Sequence, residues 1–301
     1  YPSGFEGNLY YNSSDGQFKY IGLGAGAWAS GNNLNSARRG IAGAGIQTAA
    51  LGIAGVHTTT VNLVESYDGS SWTETTEVNT ARRNASAAGI QTAALFYGGA
   101  HSPNDSTETW NGSSWTEVSE LNTPKGKMHN FSGGTNTAAI TAGGYSTAAV
   151  DDVESWNGSA WTETTEINTA RNSHGGGGTQ TAQIIMGGGE SPYVAIAEIW
   201  NGSSWTEGGD LNSARGESPG GAGTTTDALA FGGSDGTARA YTENYNGTSW
   251  TELGDLANGI SGAGSAGTAS LALSFGGWRL GNIASTEEWS YSHAFKKVTT
   301  S

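Results

Sequence analysis

Apolar residues in this chain come in short runs, each stopped by glycine. Ala93-Ala94-Leu95-Phe96-Tyr97 ends in Gly98-Gly99. Equivalent runs cover Ala138 to Gly144, Ala182 to Gly188, Ala228 to Gly233 and Leu271 to Gly277, and a first copy ends Ala54-Gly55. Each predicts a short buried strand. A Gly/Ala-rich stretch precedes most of them: Ala42 to Gly45, Ala85 to Gly89, Gly175 to Gly178, Gly220 to Gly223 and Ser261 to Gly267. After each run an aromatic phrase follows, as in Trp110-Asn111-Gly112-Ser113-Ser114-Trp115. It recurs from Tyr67 to Trp72, Trp156 to Trp161, Trp200 to Trp205 and Tyr245 to Trp250. Asn-Gly or Asp-Gly between aromatic strand residues predicts a hairpin whose two central residues both take positive φ.

Trp28, Trp72, Trp115, Trp161, Trp205 and Trp250 mark one period, with spacings of 43 to 46 residues. Each period holds four strands: Gly/Ala-rich, ending in Gly-Gly, ending in an aromatic, and starting at Trp. Four strands in roughly 40–50 residues is the signature of a propeller blade. The sequence therefore predicts an all-β, six-bladed β-propeller with four antiparallel strands per blade. Small residues suit the first strand, which lines the crowded channel, and large aromatics fill the wedges between diverging blades. The sixth unit, Asn258 to Trp289, lacks an Asn-Gly-x-x-Trp, while Trp28 is an orphan fourth strand. The N-terminal strand is expected to close the last blade. Phe295-Lys296-Lys297-Val298, one residue out of register, competes for the slot. The corresponding division is an N-terminal hairpin and attachment segment (1–26), a propeller (27–295) and a C-terminal tail (296–301).

Composition narrows the function. The 301 residues include 49 Gly, 11 Trp, 11 Tyr and no Cys, with a formal net charge of −14. The acidic balance argues against nucleic acid, whose phosphates need Lys and Arg. No apolar run approaches a membrane span. Without Cys there is no thiolate metal site, and His57, His101, His129, His174 and His293 show no ligand spacing. No metal, cofactor or catalytic residue is predicted.

Two residue sets stand out. Arg38, Arg82, Lys125, Arg171 and Arg215 recur just after the blade-to-blade loop, with Ile260 in the sixth copy, and are expected to ring one channel mouth. They form either a cationic collar for an acidic ligand or, as the repetition favours, structural pairs with Glu65, Glu108, Glu154, Glu198, Glu243 and Glu287. The second set lies in the loops between second and third strands, which differ in all six copies while their flanks repeat. Variable loops on a rigid scaffold are where recognition concentrates. They supply the candidate ligand-binding residues His101, Asn104, Tyr145, Tyr193, Asp235, Trp278 and Arg279, of which the three aromatics suit stacking on sugar rings. The plainer reading is that nothing constrains these loops.

Gly-Gly ending one strand, then an aromatic, then Trp about five residues on resembles the kelch repeat, in six copies over residues 27–295. Gln-Thr-Ala-Ala-Leu and Trp-Asn-Gly-Ser-Ser-Trp-Thr-Glu also look like kelch-type proteins of marine bacteriophages. Gly7 to Gly16 resembles hairpins of phage tail-fibre proteins. The resemblance implies a non-catalytic virion surface or appendage protein, extracellular, binding a host-surface glycan or another virion protein. A self-assembling structural subunit, docked through its terminal segments, is the alternative, and a glycan-active enzyme a third. Sugar-oxidising kelch enzymes need a Cys-crosslinked Tyr that this chain lacks. Sialidase-type propellers carry a Ser-x-Asp-x-Gly-x-Thr-Trp turn that Ser13-Ser14-Asp15-Gly16 does not match.

Overall fold

A computed structural model of the chain describes residues 9–12, 14, 17–100, 105–128, 131–189, 192–217 and 219–297. The chain forms six four-stranded blades. Their strands, from the channel outward, are Ala42–Ile46, Ala49–Val56, Thr60–Tyr67 and Trp72–Thr75 in blade 1. Blade 2 holds Ser86–Ile90, Ala93–Tyr97, Thr107–Trp110 and Trp115–Val118; blade 3 holds Phe131–Gly133, Ala139–Ala142, Val153–Trp156 and Trp161–Thr164. Blade 4 has Gly175–Thr179, Ala182–Met186, Ala197–Trp200 and Trp205–Glu207, and blade 5 Gly220–Gly223, Ala228–Phe231, Thr242–Tyr245 and Trp250–Glu252. Blade 6 has Gly264–Gly267, Ala272–Phe275, Thr286–Lys297 and Gln17–Gly31. No helix occurs among the described residues.

The N-terminal strand closes the ring, with Trp28 paired to Trp289. Phe295, Lys296 and Lys297 extend the third strand of blade 6 and pair with Ile21, Tyr20 and Lys19, so they do not supply the fourth strand. The expected boundaries at 26/27 and 295/296 both fall inside this ladder.

Small inner residues serve the expected purpose. A Cβ on Gly43 would lie 2.0 Å from the carbonyl oxygen of Ser265 in blade 6, and one on Gly221 would lie 2.2 Å from that of Gly176 in blade 4. Backbones there approach too closely for any side chain. In blade 3 the approach becomes a ladder: Phe131–Gly133 pairs in parallel with Gly176, Gly177 and Gly178 of blade 4, and only Gly134 bridges to its own second strand.

Two rings of hydrogen bonds join the blades. The glycine that ends each second-strand run, preceded by Ala54 in blade 1 and by glycine elsewhere, donates to the carbonyl of the next blade's link: Gly55 to Arg82, Gly99 to Lys125, Gly144 to Arg171, Gly188 to Arg215, Gly233 to Ile260 and Gly277 to Arg38, all at 2.7–3.1 Å. Farther out, each fourth-strand indole reaches the preceding blade. Trp72 donates to Thr286 Oγ1 and Trp161 to Thr107 Oγ1, Trp28 to Thr242 Oγ1, and Trp115, Trp205 and Trp250 to the carbonyls of Thr76, Thr165 and Gly209. The same tryptophans pack on the aromatic paired across from them on the third strand, with ring centroids 4.9–5.5 Å apart. These aromatics carry area and a polar tip together, as a wedge between blades requires.

The outer hairpins differ from expectation in one respect. Four residues, not two, separate the paired Trp200 and Trp205, and only the glycine takes positive φ, as at Gly202 (+95°). The asparagine contributes its side chain instead: Asn201 Oδ1 accepts from the backbone N–H of Ser203 and of Ser204, both at 2.9 Å. This Asx turn explains why Asp68 serves equally well in blade 1.

Candidate functional site at the channel mouth

The loops between second and third strands share a face with the blade-to-blade links. Short bridges pair the two: Arg39 with Val56, Arg83 with Ala100, Gly126 with Tyr145, Gly216 with Ser234, and Ser261 with Trp278. The opposite face carries the repeated Asx turns. One face is therefore varied and the other uniform, as the sequence predicts.

The five repeated cations do not line the mouth. They lie inside the blades, all 0–3% exposed, each against the glutamate of its own blade. Arg38 Nη2 meets Glu65 Oε1 at 2.8 Å, Arg82 meets Glu108 at 2.7 Å, Arg171 meets Glu198 at 2.9 Å and Lys125 Nζ meets Glu154 at 3.4 Å; Arg215 pairs with Glu243. The guanidinium of Arg38 also donates to the carbonyls of Ala54 and Leu63, bracing the variable loop from beneath. The second carboxylate oxygen accepts from the link backbone, as from Asn35 N at 2.6 Å and Asn168 N at 2.7 Å. Burial pulls all five cations below their ordinary pKa values, an effect the facing carboxylates oppose. Sequence reasoning favoured these pairs but set the cations around a channel mouth; closed and desolvated within the blades, they are not a ligand collar. It also missed the asparagines that join them. Asn35, Asn79, Asn122, Asn168 and Asn212 donate to the carbonyl of the outer tryptophan of the same blade. Blade 6 departs from the pattern: Ile260 replaces the cation, Ala257 replaces the asparagine, and among the described residues Glu287 keeps only the backbone bond from Ala257 N at 2.9 Å. Burial raises its pKa.

The residues at the mouth sit two positions beyond the cations: Gly40, Asn84, Lys127, Ser173, Glu217 and Gly262. All six take left-handed backbone conformation, with φ between +49° and +61°. They link around the axis through Asn84 N to Gly40 O, Met128 N to Asn84 O, Ser173 N to Lys127 O, Gly262 N to Glu217 O and Gly40 N to Gly262 O. The sequence carried a signal for this ring, because one repeat column reads Gly, Asn, Lys, Ser, Glu, Gly, and Gly with Asn marks positive φ. A cavity of about 340 Å³ opens at the ring, lined among others by Arg39, Asn84, Ser173, Glu217, Ser261 and Trp278.

Three of the predicted loop residues meet this ring. Trp278, 38% exposed, holds the Arg39 guanidinium 4.3 Å from its ring centroid. Tyr193 OH donates to Glu217 Oε1 at 3.2 Å, and Lys127 Nζ lies 4.4 Å over Tyr145. Tyr145 also lines a second cavity of about 360 Å³ beside Pro192 and Val194. The other candidates sit apart. Asp235 pairs with Arg239 at 2.8 Å on the surface, Arg279 donates to Asn258, and His101 and Asn104 lie outside the described residues.

No family model matches the chain, and no curated protein matches it in sequence. Among solved structures it is similar to that of YjhT, with 13% identity and a TM-score of 0.69 over 86% of this chain and 95% of that one. At that identity the likeness is one of fold.

Proposed function

We infer that the protein is a non-catalytic recognition module that binds a glycan, or a partner protein's surface, through its variable-loop face. The observation that carries the reading is the convergence of Tyr145, Tyr193 and Trp278, from three different blades, on partners around one channel mouth. Aromatic platforms held by ionic and hydrogen-bonded partners on a rigid scaffold suit sugar rings, which offer an apolar face edged with hydroxyls. The kelch-like Gly-Gly and Trp spacing, with the wording Trp-Asn-Gly-Ser-Ser-Trp, supports a kelch-type phage appendage whose target is a host-surface glycan. A glycan array tests the reading with the native chain and with a variant in which all six variable loops are replaced by Gly/Ser. The native chain is expected to bind and the variant to lose binding. Undiminished binding after replacement rejects the loop face.

A structural role is the second reading. Its support is the ladder that runs beyond the ring to Lys19 and Lys297, where Tyr11 and Phe18 stand exposed with ring centroids 5.2 Å apart. Light scattering on the native chain and on a chain lacking residues 1–16 separates the two. Concentration-dependent assembly that the deletion abolishes favours assembly through this arm.

A further inference from the structure

Non-glycine residues in the left-handed region carry a backbone cost that glycine avoids. Blades 1 and 6 use glycine at the ring position, as Gly40 and Gly262; blades 2 to 5 use Asn84, Lys127, Ser173 and Glu217 at φ +54°, +49°, +54° and +50°. Four different polar side chains are thus held in one strained position where glycine serves the fold twice over. We propose that the Asn84, Ser173 and Glu217 side chains form the polar floor of a site for the uncharged terminal sugars of a saccharide, entering the channel mouth beside Trp278. The proposal rests on the glycan-binding reading and specifies its centre.

The chemistry of the cavity selects the ligand. Its lining carries one guanidinium, Arg39, and one carboxylate, Glu217, with no formal excess of either sign. Asn84 and Glu217 offer the paired donors and acceptors that vicinal hydroxyls need. Ser173 lines the cavity, is 1% exposed, and its buried Oγ has no hydrogen-bond partner among the described residues. A buried hydroxyl of that kind awaits a polar guest. The volume of about 340 Å³ lies at the low end of small-molecule sites, about 300–1,000 Å³, so it admits the end of a chain and not its length. Glycine at 40 and 262 shapes the opening. A Cβ on Gly40 would fall 2.3 Å from Asn84 Oδ1, so glycine there makes room for the carboxamide, while Gly262 meets nothing closer than 3.5 Å and leaves its side clear.

The test combines stability with binding on the full chain. Asn84→Gly, Ser173→Gly and Glu217→Gly are expected each to raise the melting temperature by about 1–3 °C through relief of backbone strain. Each is also expected to weaken binding at least tenfold toward a panel of neutral mono- and disaccharides, read by calorimetry or saturation-transfer NMR. Glu217→Gln, which keeps the backbone strain, is expected to weaken binding at unchanged melting temperature. Ala54→Gly is the control: Ala54 also has positive φ (+56°) but is buried in the core, so it should gain stability and bind as the native chain does. Lower melting temperatures for the three ring variants would make these side chains structural and overturn the proposal, as would a preference for acidic sugars. Binding that is lost on loop replacement yet indifferent to the ring variants overturns the floor and leaves the loop face standing. Failure of the native chain to bind any saccharide overturns both.

Discussion

Glu65, Glu108, Glu154, Glu198 and Glu243 each hold a buried cation and cap a link, whereas Glu287 caps a link with no cation beside it. Removing one charge of a buried pair strands the other, at about 3–5 kcal/mol. Glu108→Gln should therefore destabilise by that amount in urea unfolding, while Glu287→Gln should be neutral or stabilising at pH 7, where ionising the buried Glu287 is itself a cost. His174 supplies the pH dependence. It is fully buried, its Nε2 lies 2.9 Å from the carbonyl oxygen of Ala142, and burial, reinforced by Arg171, lowers its pKa to about 4. Its folded pKa thus lies below the unfolded value of about 6.5. The contribution is complete above pH 6.5 and is lost as pH falls toward 4, because the unfolded chain takes up a proton that the native state refuses. The loss amounts to at most about 3 kcal/mol. Denaturation at pH 7.5 and 4.5 should show the drop, and His174→Asn should flatten it. At this scale the sequence disclosed which residues pair, since Arg and Glu share the repeat. It did not disclose how deeply they lie, because burial depends on how the link folds over the blade edge.

Among the elements, the fourth strands supply the outer ties between blades. Their tryptophans combine a cross-strand stack with an indole bond to the preceding blade, and Trp28 does so from the far end of the sequence. Trp28→Ala is expected to cost about 3 kcal/mol, in the range for truncating a packed aromatic. The emission of the fully buried Trp289 should shift red before global unfolding, because it loses that cover first. A coincident transition of both signals would count against blade 6 as the weak unit. The strands were legible as apolar runs, glycine stops and aromatic phrases, except the inner strand of blade 3, Phe131–Gly133, which no Gly/Ala-rich run marks. The Asx geometry of the outer turns was not, because Asn-Gly suits a two-residue turn and a four-residue one equally well.

For the molecule as a whole, six copies dictate a closed ring, and the ring bonds from Gly277 to Arg38 and from Trp72 to Thr286 bring the last blade onto the first. Since Gln17–Gly31 and Thr286–Lys297 already lie in one blade, a circular permutant linked across that blade and reopened between Gly202 and Ser203 should keep its fold. Its unfolding midpoint should be lower, since blade 4 then takes over the unlinked seam; a permutant that is unfolded by circular dichroism contradicts this. The variable face was legible as six unlike loops between repeated flanks. The mouth itself was marked only by the glycines and Asn84 of one repeat column, because its defining property is a dihedral angle, and in Lys127, Ser173 and Glu217 left-handed backbone leaves no mark on a sequence.

Lys19 stands opposite Lys297, and from there the two strands run together toward Trp28 and Trp289. Tension applied between Lys19 and Lys297 pulls this pair open like a zipper, one rung at a time, instead of shearing all rungs at once. The paired indoles then act as the first catch, and five blades remain intact behind it. A propeller tethered by only one end would never feel that load, whereas one spliced between two anchors would yield at a set place and could re-form when the pull is released.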